Sequence, residues 1–425
     1  MKNVFNFSRY FYNTNWLLIE HLFRAGVTLL VGILLARYLG PTQFGTYSFI
    51  IAIFSILQAF SKLGLDGILV RDFVNNMEKD KNILSTSFWL KALFSILIII
   101  IVAIVFMLTT TNDISYYILL ISFVFIFQSF DVIQFYLEAK VLGKVIATCK
   151  FFQVIISAAV KIFLIYIEAD LYLFFLVFIL DAFVISIAFL TVIRRNAYSL
   201  LPKYFRIEIA KKLISDSLPL IISALAVIVY IRIDQIMLNY FFGNYEVGIY
   251  SVAVKLSEAM YFIPVIITTS IFPAIIDAKR KSTTFYIQSM QILYTALAWL
   301  AIFVSIIIFV SSDFLINFLF GDKYAQSADV LKIHALSMAF VFIGVAFEKY
   351  LINENLTMIS LKRTLTGAIS NIILNIFLIP KMGVNGAALA TLISQFVANF
   401  MYDLFDRRLH MQLKLKAKAF LFYVK

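Results

Sequence analysis

Charged residues are scarce in this chain of 425 residues, at 14% of the composition, against about 25% in soluble domains. Hydrophobic residues make up 62%, which excludes an ordinary soluble protein and indicates a chain that lies in lipid. Cysteine occurs once, as Cys149, so an intrachain disulfide is excluded. The sequence also lacks the alternating ten-residue segments of a membrane β-barrel.

Signatures of soluble enzymes are missing as well. The chain contains no G-x4-G-K-[S/T] phosphate loop and no G-x-S-x-G nucleophile elbow. Its three histidines, His21, His334 and His410, do not have the spacing of metal ligands. These absences exclude ATP hydrolysis by a phosphate loop and predict no catalytic residue, no metal and no cofactor. We therefore expect a transporter rather than an enzyme.

Long apolar runs occupy most of the chain. A helix needs about 20 apolar residues to cross the hydrocarbon core of a membrane, and the runs leave room for about twelve such helices. The runs lie at 14–36, 43–63, 84–109, 114–137, 145–167, 170–193, 213–239, 247–273, 285–310, 330–352, 364–380 and 384–405. The expected fold is an all-α membrane protein, and the first run is expected to remain as an anchor because it has full length.

The excess of basic residues follows the expected orientation of these helices. The chain has 36 Lys and Arg against 24 Asp and Glu, for a net charge of +12. With the N-terminus inside, the outside loops hold only Arg37, Lys323 and Lys381. The positive-inside rule then predicts an even number of spans and two cytoplasmic termini. The charge is an orientation signal, and no nucleic-acid partner is expected.

A nine-residue motif occurs twice, about half a chain apart. Gly40–Ser48 reads GPTQFGTYS and Gly243–Ser251 reads GNYEVGIYS, and each copy follows one apolar run and opens another. The repeat predicts two pseudo-symmetric lobes of six helices each, an organisation common in secondary transporters, with the substrate path between the lobes. The expected parts are an N-terminal lobe at 1–193, a basic cytoplasmic linker at 194–212, a C-terminal lobe at 213–405 and a basic cytoplasmic tail at 406–425.

Charged side chains within the predicted spans are the candidate site residues, because a charge in lipid is costly and usually marks a cavity or an ion path. Arginine stays charged, and its planar guanidinium suits phosphate. The predicted lining of a cationic, substrate-binding cavity is Arg24, Arg232, Lys255 and Lys161. The carboxylates predicted to serve ion coupling or pairing are Glu20, Asp131 and Glu258.

Purely structural interpretations stand beside these predictions. Lys91, Lys150 and Lys161 have long side chains that can extend to a membrane interface. The pairs Glu20–Arg24 and Lys255–Glu258 have spacings that allow ion pairs within a helix, with no ligand involved.

Three segments resemble one family of membrane transporters. Leu34–Ser48 resembles the first-loop signature of the polysaccharide-biosynthesis transporters, the Wzx-type O-antigen flippases. Asp234–Leu238 with Gly243–Ser251 resembles the start of their second lobe, and Gly383–Leu389 resembles their last turn. The similarity in order and spacing covers essentially the whole chain. It points to the polysaccharide branch of the multidrug/oligosaccharidyl-lipid/polysaccharide exporter superfamily, which is MATE-like.

The resemblance implies a multi-pass protein of the bacterial plasma membrane with twelve helices in two lobes. It also implies translocation of undecaprenyl-pyrophosphate-linked oligosaccharide repeat units, such as O-antigen or a similar surface polysaccharide, by alternating access. Arg24 matches a position where the family commonly carries arginine, whereas no motif supports Arg232 or Lys255. Coupling to H+ or Na+ and partnership with polysaccharide biosynthesis enzymes are further expectations.

Two other functions remain open from the sequence. A cation-coupled multidrug exporter of the same superfamily would use buried carboxylates, for which Asp131, Asp181 and Glu258 are available. A membrane-embedded glycan polymerase or ligase is less favoured, because the outside loops are short and provide little material for an extracytoplasmic domain.

Overall fold

The structure, a computed structural model, describes residues 7–75, 77–108, 113–195 and 200–421, and these residues form helices with no β-strand among them. The α-helices are α1 (Phe7–Lys62), α2 (Asp66–Asn75), α3 (Asp80–Leu108), α4 (Asp113–Ser122), α5 (Val124–Gln128), α6 (Val132–Ala139), α7 (Gly143–Tyr166), α8 (Leu171–Arg195), α9 (Ile207–Phe242), α10 (Asn244–Met260), α11 (Phe262–Lys281), α12 (Thr283–Phe320), α13 (Ser327–Asn353), α14 (Thr357–Phe396), α15 (Tyr402–Phe405) and α16 (His410–Ala419). The predicted all-α class is confirmed.

Ten helical stretches within the described ranges are long and apolar enough to cross a membrane. Two of them, Asn15–Asn75 with 61 residues and Thr357–Phe405 with 49, are far longer than one crossing requires. Each is interrupted by a glycine with non-helical torsion angles, namely Gly40 (φ 69°, ψ 173°) and Gly383 (φ 56°, ψ −133°). The helix direction therefore changes at both glycines.

Compact packing divides the chain into two units. The first comprises residues up to Tyr38 together with Ile50–Ile228, and the second comprises Leu39–Phe49 together with the residues from Val229 on. These boundaries differ from the expected lobes: the first copy of the repeated motif belongs to the second unit, and the division falls within α9 rather than in the 194–212 linker. The division into two six-helix lobes remains a prediction.

In the first unit, the helical stretch 113–139 is discontinuous. α4 and α5 are separated at Phe123, and a 3-10 segment at Ser129–Asp131 separates α5 from α6. Phe125 of α5 stacks on Phe54 at 4.9 Å between ring centroids and is fully buried. Short 3-10 stretches inside a helix often accompany functional sites. The break brings Asp131 into the same layer as polar residues of α3.

In the second unit, the C-terminal helix α16 packs against the helix bundle. Lys416 is fully buried, where its ammonium pairs with Asp403 at 2.5 Å and donates to the backbone carbonyl of Asn399 at 2.6 Å. Burial lowers the pKa of Lys416 to about 8. Tyr294 of α12 donates to Gln412 of α16 at 2.9 Å. The basic segment expected as a tail thus includes a docked helix.

Candidate functional site

A buried carboxylate on α9, that of Asp234, is held by side chains from two other helices of the second unit. The hydroxyl groups of Tyr250 on α10 and Thr391 on α14 each donate a hydrogen bond to Oδ2 of Asp234, with oxygen–oxygen distances of 2.5 Å. Asn375 of α14 donates an amide proton to its Oδ1 at 2.6 Å and another to Asn371 at 3.0 Å. Hydroxyl, amide and carboxylate oxygens at membrane depth form the kind of site that binds a proton or a small hard cation.

Two buried polar groups near this centre lack partners among the described residues. They are the side-chain oxygen of Asn375 and both ring nitrogens of His334 on α13. The His334 ring is 3% exposed and lies 5.5 Å from the ring of Tyr250. Unsatisfied buried polar groups are rare and call for an explanation, such as a water or an ion. The centre around Asp234 therefore has acceptor capacity that the protein itself does not use.

The two copies of the repeated motif cross each other within the second unit. A Cβ atom on Gly45 would overlap the backbone carbonyl of Asn244, and one on Gly248 would overlap that of Pro41. The contact is reciprocal: the sixth residue of each copy lies against the second residue of the other. Small residues allow such a close helix approach. The crossing places Tyr250, at the eighth motif position, next to Asp234.

In the first unit, Arg24 is a half-exposed cation on an apolar helix. Its guanidinium pairs with the buried carboxylate of Glu20 at 3.0 Å and contacts Nδ1 of His21 at 3.1 Å, and its side chain is 40% exposed. The structure thus brings Glu20 and Arg24 together and leaves part of the guanidinium accessible to an anion.

The predicted cations of the second unit contact one acidic and one aromatic partner. Arg232 lies 3.8 Å from the carboxylate of Glu258, a loose ion pair in which both side chains are partly exposed. The ammonium of Lys255 lies 5.7 Å from the ring centroid of Phe44, the fifth residue of the first motif copy. Both cations belong to the unit that contains the Asp234 centre.

Lys161 and Lys91, both in the first unit, have contrasting surroundings. Lys161 lies 2.9 Å from the hydroxyl of Ser157 and 3.5 Å from Asp181, and only 15% of its side chain is exposed. Lys91 is 1% exposed, and its ammonium nitrogen has no hydrogen-bond partner in the described part of the chain. The interpretation of Lys91 as a side chain that reaches a membrane interface is wrong, because the residue is enclosed by the protein.

Sequence reasoning missed the Asp234 centre as a site. Asp234 was visible as a charge in an apolar run, and Asn371 and Asn375 as a polar pair four residues apart on one helical face. Those signals place polar groups on helices but do not show that α9, α10 and α14 bring them together. The contact between Tyr250 and Asp234 joins residues of consecutive helices, whereas those from Asn375 and Thr391 span most of the second unit.

Sequence comparisons relate this chain to proteins of glycan biosynthesis. Residues 11–279, more than half of the chain, match the family model described as Polysaccharide biosynthesis protein. The Capsular polysaccharide biosynthesis protein CapF of Staphylococcus aureus is 22% identical over 93% of this chain and 99% of its own length. The Probable low-salt glycan biosynthesis flippase Agl15 of Haloferax volcanii is 25% identical over 44% of this chain and 39% of its own length.

Solved structures with the same fold are lipid and drug transporters. The lipid II flippase MurJ in an inward closed conformation superposes with a TM-score of 0.74, at 15% identity, over 95% of this chain and 90% of that one. An inward-facing multidrug resistance MATE transporter superposes with a TM-score of 0.65, at 12% identity, over 93% of this chain and 95% of that one. The fold is therefore MATE-like. Together with the long apolar helices, the family match shows a multi-pass membrane protein that has this fold and belongs to the family described as Polysaccharide biosynthesis protein.

Proposed function

We propose that this protein is a flippase that moves undecaprenyl-pyrophosphate-linked oligosaccharide repeat units across the bacterial plasma membrane by alternating access. The observation that carries the proposal is a half-exposed guanidinium, that of Arg24, on an apolar span of a chain in the polysaccharide biosynthesis family. An exposed cation at such a position is costly unless it meets water or an anion. The names of the glycan-related relatives support a lipid-linked glycan as the substrate.

The pyrophosphate group is the part of this substrate that a cationic site recognises. Arginine binds phosphate oxygens through two parallel N–H donors. Arg24 in the first unit and Arg232 in the second each have one acidic neighbour, Glu20 and Glu258, and retain exposed surface. We propose that Arg24 and Arg232 bind anions and that the two carboxylates position their guanidinium groups. Lys255 is assigned the same anion-binding role as the two arginines. Lys161 shares its charge with Asp181 and is the weakest member of the predicted set.

Twelve membrane crossings are part of the proposal. Ten helical stretches of the described residues are long and apolar enough to cross a membrane, and we take the breaks at Gly40 and Gly383 to divide two of them into two crossings each. An even number places both termini on the same side, and the distribution of basic residues makes that side cytoplasmic. Accessibility labelling of single cysteines introduced at Arg280 and Lys323 tests the topology. Labelling of both from the same side contradicts it.

The coupling ion is proposed to bind at Asp234, and either H+ or Na+ suits the oxygen donors around it. The unpartnered oxygen of Asn375 supports this assignment, because a bound cation would satisfy it. A ligand that binds only the folded state raises thermal stability. We expect Na+ or acid to shift the melting temperature of the wild type but not of Asp234→Asn. Asp313→Asn, at an exposed carboxylate, is the matched control, and an equal shift in all three proteins contradicts the assignment.

The flippase proposal is tested by deleting the gene and complementing it with wild type, Arg24→Lys, Arg24→Ala or Arg280→Ala. Arg280 is an exposed arginine paired with Asp277 at a helix end and serves as the control. Surface polysaccharide and lipid-linked repeat units are measured together. We expect the deletion to lose surface polymer and accumulate single repeat units, Arg24→Ala to fail to rescue, and Arg280→Ala to rescue fully. Unchanged surface polymer and an unloaded lipid carrier contradict the proposal.

A cation-coupled multidrug exporter is the second candidate, favoured by the MATE-like fold and by the buried carboxylate of Asp234. Such an exporter, when overexpressed, should raise resistance to cationic dyes, and the resistance should depend on Asp234. An unchanged sensitivity to dyes counts against this function and leaves the flippase proposal in place.

A further inference from the structure

The short helix at the end of the described chain, α16, has two faces of opposite character. The buried residues of its inner face are Gln412, Leu415, Lys416 and Ala419. The exposed residues of its outer face are His410, Met411, Lys414, Ala417 and Lys418. The two sets follow the periodicity of an α-helix, so one face contacts the protein and the other contacts the surroundings.

The inner face is fixed to the second unit by its buried lysine. Besides its ion pair, the ammonium of Lys416 lies 3.6 Å from the ring centroid of Phe347 and 5.3 Å from that of Phe400. The side-chain amide of Gln291 on α12 donates to the backbone carbonyl of Leu415 at 3.1 Å. A buried ammonium is tolerated where such partners compensate for the loss of water. These contacts hold α16 in one orientation, so its outer face has a defined direction.

The same contacts place α16 beside the end of an apolar helical stretch. The stretch Thr357–Phe405 is long and apolar enough to cross a membrane, and Asp406 follows it directly. Lys416 contacts Asn399 and Asp403, which lie within the last two turns of this stretch. The helix therefore lies alongside those turns rather than extending away from them. At the end of a membrane crossing, this is the depth of the lipid headgroups.

The exposed surface around α16 combines cations with large apolar side chains. Its exposed cations are Arg407, Arg408, Lys414 and Lys418. Asp406 is the only acidic residue after Phe405 in the sequence, and Arg408 pairs with it at 2.7 Å. Phe405, Met411 and Leu421 are 81%, 43% and 78% exposed. Water is a poor environment for such apolar groups, whereas the boundary between headgroups and acyl chains accommodates apolar and cationic side chains together.

From this arrangement we propose that the outer face of α16 binds the anionic headgroups of membrane phospholipids, with Lys414 and Lys418 as the central contacts. The two lysines are four residues apart, so their ammonium groups lie on one side of the helix and can contact neighbouring phosphates. Basic clusters next to a membrane-spanning helix attract an anionic lipid surface. An acidic soluble protein is the less suitable partner, because it would leave Met411 and Leu421 exposed to water.

Lipid binding at the outer face should also stabilise the second unit. The inner face contacts α12 through Tyr294, α13 through Phe347 and α14 through the ion pair next to its end. A ligand that binds only the docked helix favours the folded state. Phosphatidylglycerol should therefore raise the melting temperature of the protein more than phosphatidylcholine with the same acyl chains.

Lipid binding is tested in nanodiscs with a fluorophore on a cysteine introduced at Ala417, between the two lysines. Wild type treated with the same reagent gives the background, since its single cysteine, Cys149, is buried. Brominated phosphatidylglycerol and brominated phosphatidylcholine are compared as quenchers at equal mole fraction. We expect the anionic lipid to quench about twofold more, because it is enriched at the helix. Raising the salt from about 0.1 M to about 1 M should remove most of this excess, since the Debye length falls to about 3 Å.

Matched variants separate the outer face of α16 from the total charge of the protein. Lys414→Gln/Lys418→Gln should reduce the ratio of the two quenching efficiencies to about one, and Lys414→Arg/Lys418→Arg should retain the excess. The control is Lys323→Gln/Lys381→Gln, which removes the same charge at two exposed lysines elsewhere in the second unit. It should behave like the wild type. Thermal unfolding in phosphatidylcholine establishes that each variant is folded.

Three outcomes would overturn the proposal. The first is equal quenching by the two lipids in the wild type, and the second is an excess that survives the loss of both lysines. The third is strong quenching by aqueous iodide with little quenching by either lipid, which would leave a soluble acidic partner as the occupant of the outer face. The flippase proposal stands apart from all three, because the assay uses neither its substrate nor Arg24.

Discussion

The two copies of the G-x3-[F/V]-G-x-Y-S motif share a backbone and differ in what their side chains contact. Gly40 has φ 69° and ψ 173°, and Gly243 has φ 84° and ψ −170°. Both conformations lie in a region that is essentially restricted to glycine. The tyrosine of the first copy, Tyr47, belongs to a stacked pair with Phe44, whereas that of the second, Tyr250, donates to Asp234. Both copies therefore share the turn and the helix crossing, and the second copy supplies a hydroxyl donor to the buried carboxylate of Asp234.

The two copies therefore have the same backbone role but different side-chain contacts. The glycines determine where the chain turns and how closely the two helices approach, and both copies need them equally. The proposed ion site depends on which residues of α9 and α14 lie opposite the motif, and these are not part of the repeat. Variants at matched motif positions can therefore test the scaffold and the chemistry separately.

The largest effect is expected from filling the helix crossing. Gly45→Leu and Gly248→Leu each place a side chain against a backbone carbonyl that cannot withdraw, so either variant should lower the free energy of unfolding by about 3 kcal/mol and abolish complementation of surface polysaccharide. The two variants should be equally damaging because the contact is reciprocal.

Gly26→Leu is the control for this prediction, because a Cβ added at Gly26 meets no heavy atom within 4 Å beyond its chain neighbours and the backbone of its own helix. It should retain both stability and complementation. A crossing variant that behaves like Gly26→Leu would show that the close approach of the two motif copies is not needed in the working protein.

A smaller effect is expected from the turn glycines. Gly40→Ala and Gly243→Ala should each lower the free energy of unfolding by about 2 kcal/mol, because alanine is strained in this backbone region. A Cβ has open space at both positions, so the backbone torsion angles alone are responsible. Thermal and denaturant unfolding in lipid–detergent micelles measure the change. Clearly unequal losses of unfolding free energy in the two variants would contradict the prediction that the two turns are equivalent.

The smallest change in stability should come from the tyrosines, and here the copies should differ. Tyr250→Phe removes a hydroxyl donor from the buried Asp234 and should lower the free energy of unfolding by about 1.5 kcal/mol. It should also weaken the response of the melting temperature to Na+ or acid. Tyr47→Phe should leave that ion response unchanged. Equal ion responses in the two variants would contradict the assignment of ion chemistry to the second copy.

Much of the helical framework was predictable from local properties. The twelve apolar runs lie almost entirely in helical segments of the structure; several extend one residue past a helix end, as at Leu63 and Asp170, and the fourth, eighth and twelfth runs each contain a break between helices. The motif glycines marked the two turns because few other residues adopt their backbone angles. The pairing of Glu20 with Arg24 followed from their spacing of four residues on one helix.

The surroundings of single charges were much less predictable. The sequence is compatible with a position of Lys91 at the membrane interface, but the structure shows that the protein encloses this residue. A lone lysine in an apolar run has the same sequence pattern at an interface and in a protein interior. The basic character of residues 406–421 did not reveal that Lys416 is buried against Asp403. Such contacts depend on helices that are distant in sequence.

The sequence by itself determined the all-α class of the molecule, its long apolar helices, the glycine turns of the repeated motif and the resemblance to its family, because hydrophobicity and backbone torsion preferences act within a few residues. Only the tertiary structure decided which charges are paired, which are enclosed, and that Asp234, Tyr250, Asn375 and Thr391 form one centre. The reason is physical: hydrogen bonds and ion pairs reach only a few ångströms, and the packing of separate helices determines which groups come within that reach.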